Sequence, residues 1–307
     1  MDETFDPSSA PEAIRVAYYG ALFAMADADG SIDKDELQAI FAMVDFEGLS
    51  DDAQRTVRGY LLSPPALADT LIPLRKAEEV LRFSLMFNLA EIAYANDLVT
   101  PEERHVLAQA GRVLCITTPQ IEAIERFVRT LMVVRARGVN DNDAADANDA
   151  ADAADADVVK RVAAGLPAVG IPIAAVSVLG SVGGLSAAGI TSGLAALGLG
   201  LGMVPGIGVA IISGTVIYGG LAKVLDVGGG QAKERAKEFA RAEADRKVQR
   251  VIRTMQQTII LLMERVQELQ AKAADAEANR EAIRVLNERM TALKQLIERR
   301  KFELGDA

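Results

Sequence analysis

The chain has no tryptophan, one histidine and one cysteine, and only 5% of its 307 residues are aromatic. His105 and Cys115 cannot build a His/Cys metal cluster, an internal disulfide or a Cys-His catalytic pair with any margin. A lone thiol suits a reducing cytoplasm, and Cys115, set among Val113, Leu114 and Ile116, reads as buried and inert. Excess positive charge is missing too. The net charge of -10 argues against nucleic acid as a general partner, because phosphate contacts need concentrated Lys and Arg. The opening residues Met1, Asp2, Glu3 and Thr4 are acidic where a signal peptide would be basic and then apolar, so the chain is expected to start in the cytoplasm. Nucleotide loops are also lacking. Gly198 with Gly200, and Gly206 with Gly208, have no third glycine at the dinucleotide spacing, and no glycine run leads into a phosphate-binding Lys. With so few bases, nucleophiles and cofactor loops, the chain is expected not to be an enzyme.

What is present is apolar and small. Half the residues are hydrophobic, drawn mainly from Ala, Leu and Val with 25 Gly besides, which suits close helix packing. The expected fold is all-α, in four regions: a helical bundle over 1–137, an acidic linker over 138–159, a glycine-rich apolar helical hairpin over 160–225 and a long C-terminal coiled-coil helix over 231–303. In the first region Ile14, Ala17, Tyr18, Ala21, Leu22 and Met25 recur at helical spacing. Leu37, Ile40, Phe41 and Val44 do so after the turn at Asp29 and Gly30. Leu81, Leu85, Leu89, Ile92 and Ala93 mark a third helix, and Ile121, Ile124, Phe127 and Val128 a later one. The linker holds seven Asp and no Lys or Arg, with little to bury, and reads as an extended spacer.

Residues 162–222 form 61 consecutive positions without charge, 15 of them Gly. A bilayer core of roughly 30 Å takes about 20 helical residues to cross, so two generous spans fit. Lys160 and Arg161 lie before the stretch. After it come Lys223 and then Lys233, Arg235, Lys237, Arg241, Arg246, Lys247, Arg250 and Arg253. Positive flanks stay cytoplasmic, so both ends belong on one side and the number of crossings is even. Gly180 and Gly184, Gly189 and Gly193, and Gly198, Gly202 and Gly206 repeat at four-residue steps, which lets helix backbones approach closely in lipid. Pro167, Pro172 and Pro205 mark breaks or helix starts. Three readings stay open: a permanent membrane hairpin, one inserted on a trigger, and one buried inside a soluble oligomer.

From Val248 the apolar positions Ile252, Met255, Ile259, Leu262, Val266, Leu269, Ala273 and Ala276 alternate in steps of four and three, a coiled-coil seam. The register breaks near Ala278, Asn279 and Arg280 and resumes at Ile283, Leu286, Met290, Leu293 and Ile297. The break is either a stammer in one helix or the turn of a hairpin. The seam needs a partner, expected to be another copy of the chain or the apolar hairpin of the same one.

Two stretches of the first region look alike, 26–36 and 93–103, each following an apolar helix and opening another. In the first, Gly30 suits a sharp turn, Ile32 points inward, and Asp27, Asp29, Asp33 and Glu36 offer oxygens as a calcium loop would. Its first ligand position is Met25, which cannot coordinate. Helix caps offer a second account. Asp33 with Glu36, and Thr100 with Pro101 and Glu103, are capping-box patterns, though these leave Asp27 and Asp29 without a role. The paired loops over roughly residues 11–129 resemble the tellurite-resistance TerB-like domain, a small helical bundle. The second loop has Asn96 and Asp97 where that family has Asp-Gly. The resemblance implies a divalent metal, calcium or magnesium, held by Asp27, Asp29, Glu36, Asp97 and Glu103. It also implies a place in stress or phage-defence systems, often near membranes.

The expected partners are a lipid bilayer, further copies through the coiled coil and an unknown protein. The expected location is the inner (cytoplasmic) membrane with both termini cytoplasmic, or the cytoplasm until a trigger acts. Two functions follow: an oligomer that permeabilises a membrane, or an anchored adaptor that docks a partner through its TerB-like bundle.

Overall fold

The computed structural model describes residues 10–96, 99–140, 158, 161–162, 165–172, 175, 230–271 and 276–305. Among them the protein is all-α, with nine α-helices and no strand. They are α1 (Glu12–Ala26), α2 (Lys34–Met43), α3 (Asp51–Gly59), α4 (Leu67–Leu74), α5 (Glu79–Ala93), α6 (Pro101–Leu114), α7 (Thr118–Asn140), α8 (Gly230–Ala271) and α9 (Ala276–Gly305). The glycines assigned to membrane packing, Gly180, Gly184, Gly189, Gly193, Gly198, Gly202 and Gly206, and the acidic spacer beyond Asn140 apart from Val158, lie outside the described residues. Among those described, no helix is long and apolar enough to cross a membrane.

The centre of the bundle is α5. Every residue from Phe83 to Ala93 is buried, so this helix has no polar face, as expected of one enclosed on all sides. Two of its polar members are hydrogen-bonded within the bundle. Ser84 Oγ donates to the Val80 carbonyl at 2.7 Å, and Asn88 Nδ2 donates to Tyr18 Oη at 2.7 Å. Around it stand α1, α2, α6 and α7, with Phe87 and Phe127 in edge-to-face contact at 5.7 Å between α5 and α7. The helix α1 is likewise buried beyond its predicted stripe, adding Tyr19, Gly20, Phe23 and Ala26. Gly20 is where α1 meets α4: a Cβ there would stand 2.9 Å from Thr70 Cγ2 and 3.2 Å from Pro65 Cγ. The short α3 and α4 carry too few periodic positions to stand out in the sequence; α3 starts where Ser50 Oγ caps the Ala53 amide at 3.3 Å.

The C-terminal region is not one long coiled-coil helix. It folds back on itself as an α8–α9 hairpin: α8 ends at Ala271 and α9 begins at Ala276, so the register break expected near residue 278 falls in the first turns of α9, where Asn279 Nδ2 donates to the Leu269 carbonyl of α8 at 3.3 Å. The seam finds its partner within the chain. Ile252, Met255, Ile259, Leu262 and Val266 of α8, and Leu286, Met290, Leu293 and Ile297 of α9, are buried in the same core as the bundle, and both helices pack against α2. A two-helix hairpin covers an apolar seam at no cost of association, which is why the heptad spacing does not by itself demand a second copy.

Cys115 also departs from expectation: it is exposed. It ends α6 in the left-handed conformation at φ 57°, so the chain reverses there and turns the thiol outward, between the buried Leu114 and Ile116.

The uncharged stretch opens against the bundle, where Pro167–Val169 form a short 3-10 turn beside α7. Leu166, Ile171 and Ala175 are buried in the core, and Gln120 Nε2 of α7 donates to the Val169 carbonyl at 3.0 Å.

Candidate functional site

The two acidic loops come together at one end of the bundle. In the first, α1 ends at Ala26 and Gly30 takes φ +88°, a conformation that favours glycine. Asp29 Oδ1 accepts from the Ser31 amide at 2.9 Å and the Ser31 hydroxyl at 3.1 Å, a local turn. Asp33 then caps α2: its Oδ1 accepts from the amides of Asp35 and Glu36, both at 2.8 Å, while Glu36 Oε2 accepts from the Asp33 amide at 2.8 Å. The capping box is complete. In the second loop Thr100 caps α6, with Pro101 at the first helical position. Glu103 Oε2 accepts from the Thr100 amide at 2.6 Å and its hydroxyl at 2.8 Å. Asn96 Nδ2 joins the loops by donating to Asp33 Oδ2 at 2.6 Å.

The pseudo-repeat seen in the sequence is thus a pair of facing helix starts. Asp33, Glu36, Thr100 and Glu103 do the capping that their pattern implies. Glu36 and Glu103 are almost fully buried, at 4% and 3% exposure. Burial chiefly, with Asp33, Glu103 and Asp29 adding repulsion, pushes the Glu36 carboxyl up to about 8, against the opposing hydrogen bond from the Asp33 amide. At neutral pH this group holds a proton.

That proton has a measurable consequence. The folded state binds it more tightly than the unfolded chain does, so the contribution of Glu36 to stability falls as pH rises from about 4.5 to about 8 and is then level. Glu36→Gln keeps an oxygen for the Asp33 amide and removes the titration. Thermal melts of the two proteins should differ little at pH 5. At pH 8.5 the variant should melt several degrees higher, because the wild type has by then lost the stability that proton binding at Glu36 supplies. A gap of the same size at both pH values would mean that Glu36 is ionised throughout.

Asp27 has a different partner. Its carboxylate lies 3.8 Å from Arg289 Nη2 of α9, and Arg289 Nη1 donates to the Leu61 carbonyl just beyond α3. Partial burial raises the Asp27 pKa while Arg289 lowers it, and desolvation likewise lowers that of Arg289. Periodicity points to Met290 and passes over its neighbour Arg289, so the sequence offers no signal for this contact. A second tie lies at the other end of α2. Arg250 of α8 pairs with Asp45 at 3.3 Å and Glu47 at 2.6 Å. The same loop is held from beneath by Arg15 Nη2, which donates to the carbonyls of Asp45 at 3.0 Å and Glu47 at 2.7 Å.

No family model, curated protein or solved structure matches the chain. The likeness to TerB-like domains rests on the residues of the two loops. Of the five carboxylates it implies as metal ligands, Asp97 lies outside the described residues. Glu36 and Glu103 each use an oxygen as a cap, Asp29 closes its own turn, and Asp27 faces an arginine. Among the described residues no three of His, Cys, Asp and Glu are grouped to hold an ion. The chemistry these residues show is capping, proton binding and ion pairing.

Proposed function

We propose that the chain is a non-enzymatic, membrane-attached adaptor. Residues 176–222, the part of the uncharged stretch beyond the core-bound Ala175, enter a bilayer as an even number of helical spans, and the bundle with its docked hairpin is the head that receives a protein partner. One observation carries this reading: both ends of the uncharged stretch lead into a single helical body. On the entry side Leu166, Ile171 and Ala175 are buried in the core beside α7. On the exit side α8 begins at Gly230 and packs with α9 onto α2. A stretch with both ends tied to one body returns to the side it left, in keeping with the positive residues on both flanks. The 47 uncharged residues from 176 to 222 need cover from water, and lipid provides it. The resemblance of the acidic loops supports a place in stress or phage defence.

A second reading, the membrane-permeabilising oligomer, draws on the glycines at four-residue steps, which suit packing between copies in lipid. Flotation with liposomes that carry an entrapped dye separates the readings. The adaptor floats with the vesicles and leaves the dye inside; the permeabilising oligomer floats and releases it. Protein that remains at the bottom of the gradient with every vesicle composition sinks both.

A further inference from the structure

The seam of α8 that closes on α9 and α2 takes up one side of the helix. A second row runs along the opposite side: Arg253, Gln256, Ile260, Met263, Gln267 and Gln270 follow at steps of three and four, and all six are exposed. From Thr254 to Met263 ten consecutive residues carry no charge. The solvated side of α9 is built differently, with Arg284 paired to Glu281 and Glu288, and Lys301 to Glu298. Ile260 stands near the middle of the α8 row with its side chain open to solvent. A row at this spacing, apolar at its centre and flanked by glutamines, has the form of a helix-packing surface.

The charges at its two ends select the partner. Arg253 and Glu264 bound the uncharged run, and both are exposed. Eleven residues, or three helical turns, separate them, so they lie on the same face as Ile260. Neither has an opposite charge three or four residues away. At those steps Arg253 meets Gln249, Arg250, Gln256 and Gln257, and Glu264 meets Ile260, Leu261, Gln267 and Glu268. Their neighbours differ: Arg250 pairs with Asp45 and Glu47, and Arg265 with Glu268. A second α8 laid antiparallel, with the twofold axis midway between Arg253 and Glu264, brings each Arg253 opposite the other copy's Glu264. The same register sets the two Ile260 side chains together across the axis, and one patch serves both copies. A parallel pair would place arginine on arginine and glutamate on glutamate.

We infer that the outer face of α8, centred on Ile260, binds the same face of a second copy of the chain in antiparallel register. The contact is one helix wide and about 26 Å long, and it buries less than about 1,200 Å² in total, the scale of a reversible pair. It stands apart from the membrane reading, since copies can meet free or on a bilayer. The test is oxidative cross-linking of the full chain carrying Cys115→Ser, with and without vesicles. Ile260→Cys gives a covalent dimer. Gln270→Cys does not, because the antiparallel register holds the two copies of that position about 35 Å apart. Chains with Arg253→Cys and chains with Glu264→Cys, once mixed, join to each other and not to themselves. Charge reversal by Arg253→Glu or by Glu264→Arg cuts the Ile260→Cys dimer about tenfold, and both reversals in one chain restore it, which tells lost pairing apart from misfolding. Dimers at 270 as well as 260 overturn the inference, because they report a parallel pair. So do monomers in every mixture, and so does a dimer indifferent to either reversal.

Discussion

Leu262→Asp should destabilise the α8–α9 hairpin by more than about 4 kcal/mol, whereas Met263→Asp, one residue on, should cost less than about 1 kcal/mol. Leu262 is fully buried, and Met263 is 48% exposed. A carboxylate at 262 has no partner among the apolar residues of the seam. It must either remain charged without solvent or take up a proton, and in both cases the packing of Ile259, Val266 and Leu293 is lost with the leucine. At 263 the new charge meets water and the cost is mainly helix propensity. The check is hydrogen exchange. In Leu262→Asp the slow amides of α8 and α9 should exchange orders of magnitude faster, and in Met263→Asp they should stay near wild type. Similar exchange in the two variants would mean that the register of the hairpin is wrong.

That register was readable from steps of four and three, and so were the apolar faces of α2 and of the start of α7. What periodicity could not show was where the seam closes. A heptad stripe reports that a helix needs a partner and says nothing of whose helix it is; the packing of α9 back onto α8 and of both onto α2 decides that, and it depends on residues far apart in the chain. The centre of the bundle was under-read for another reason. A helix buried on all sides has no stripe, so Met86, Asn88 and Ala90 of α5 gave no sign of burial, although the flanking Leu85 and Leu89 did. The capping boxes were legible because their chemistry is local, within four residues. The burial that raises the Glu36 pKa was not, because it comes from bringing a second loop against the first. Cys115 misled for a similar reason: apolar neighbours suggest burial unless the backbone reverses between them.

Arg289 ties α9 to both Asp27 and Leu61, and removing it tests which of the two partners matters. Arg289→Ala should cost about 2–3 kcal/mol, while Asp27→Asn should cost under about 1 kcal/mol. The guanidinium side chain is only 11% exposed, so the alanine variant forfeits its packing as well as its hydrogen bonds. The Leu61 carbonyl, which follows the last turn of α3, then loses a charged donor. Asp27, in contrast, is 32% exposed and its oxygen stands 3.8 Å from Arg289, too long for a strong charge-assisted hydrogen bond. Once its charge is removed, water serves its remaining needs. The double-mutant cycle between the two positions should therefore give a coupling below about 1 kcal/mol, the size of an exposed ion pair. Denaturant unfolding of the four proteins measures it. A coupling of 3 kcal/mol or more would show instead that the acidic loop, through Asp27, is the main anchor of α9, and that events in that loop act directly on the hairpin. A small one leaves the hairpin held by its apolar packing on α2, by the end of α3 and by the Arg250 pairs, so that the two facing loops can bind or release a proton at Glu36 without moving the helices that lead back to the uncharged stretch.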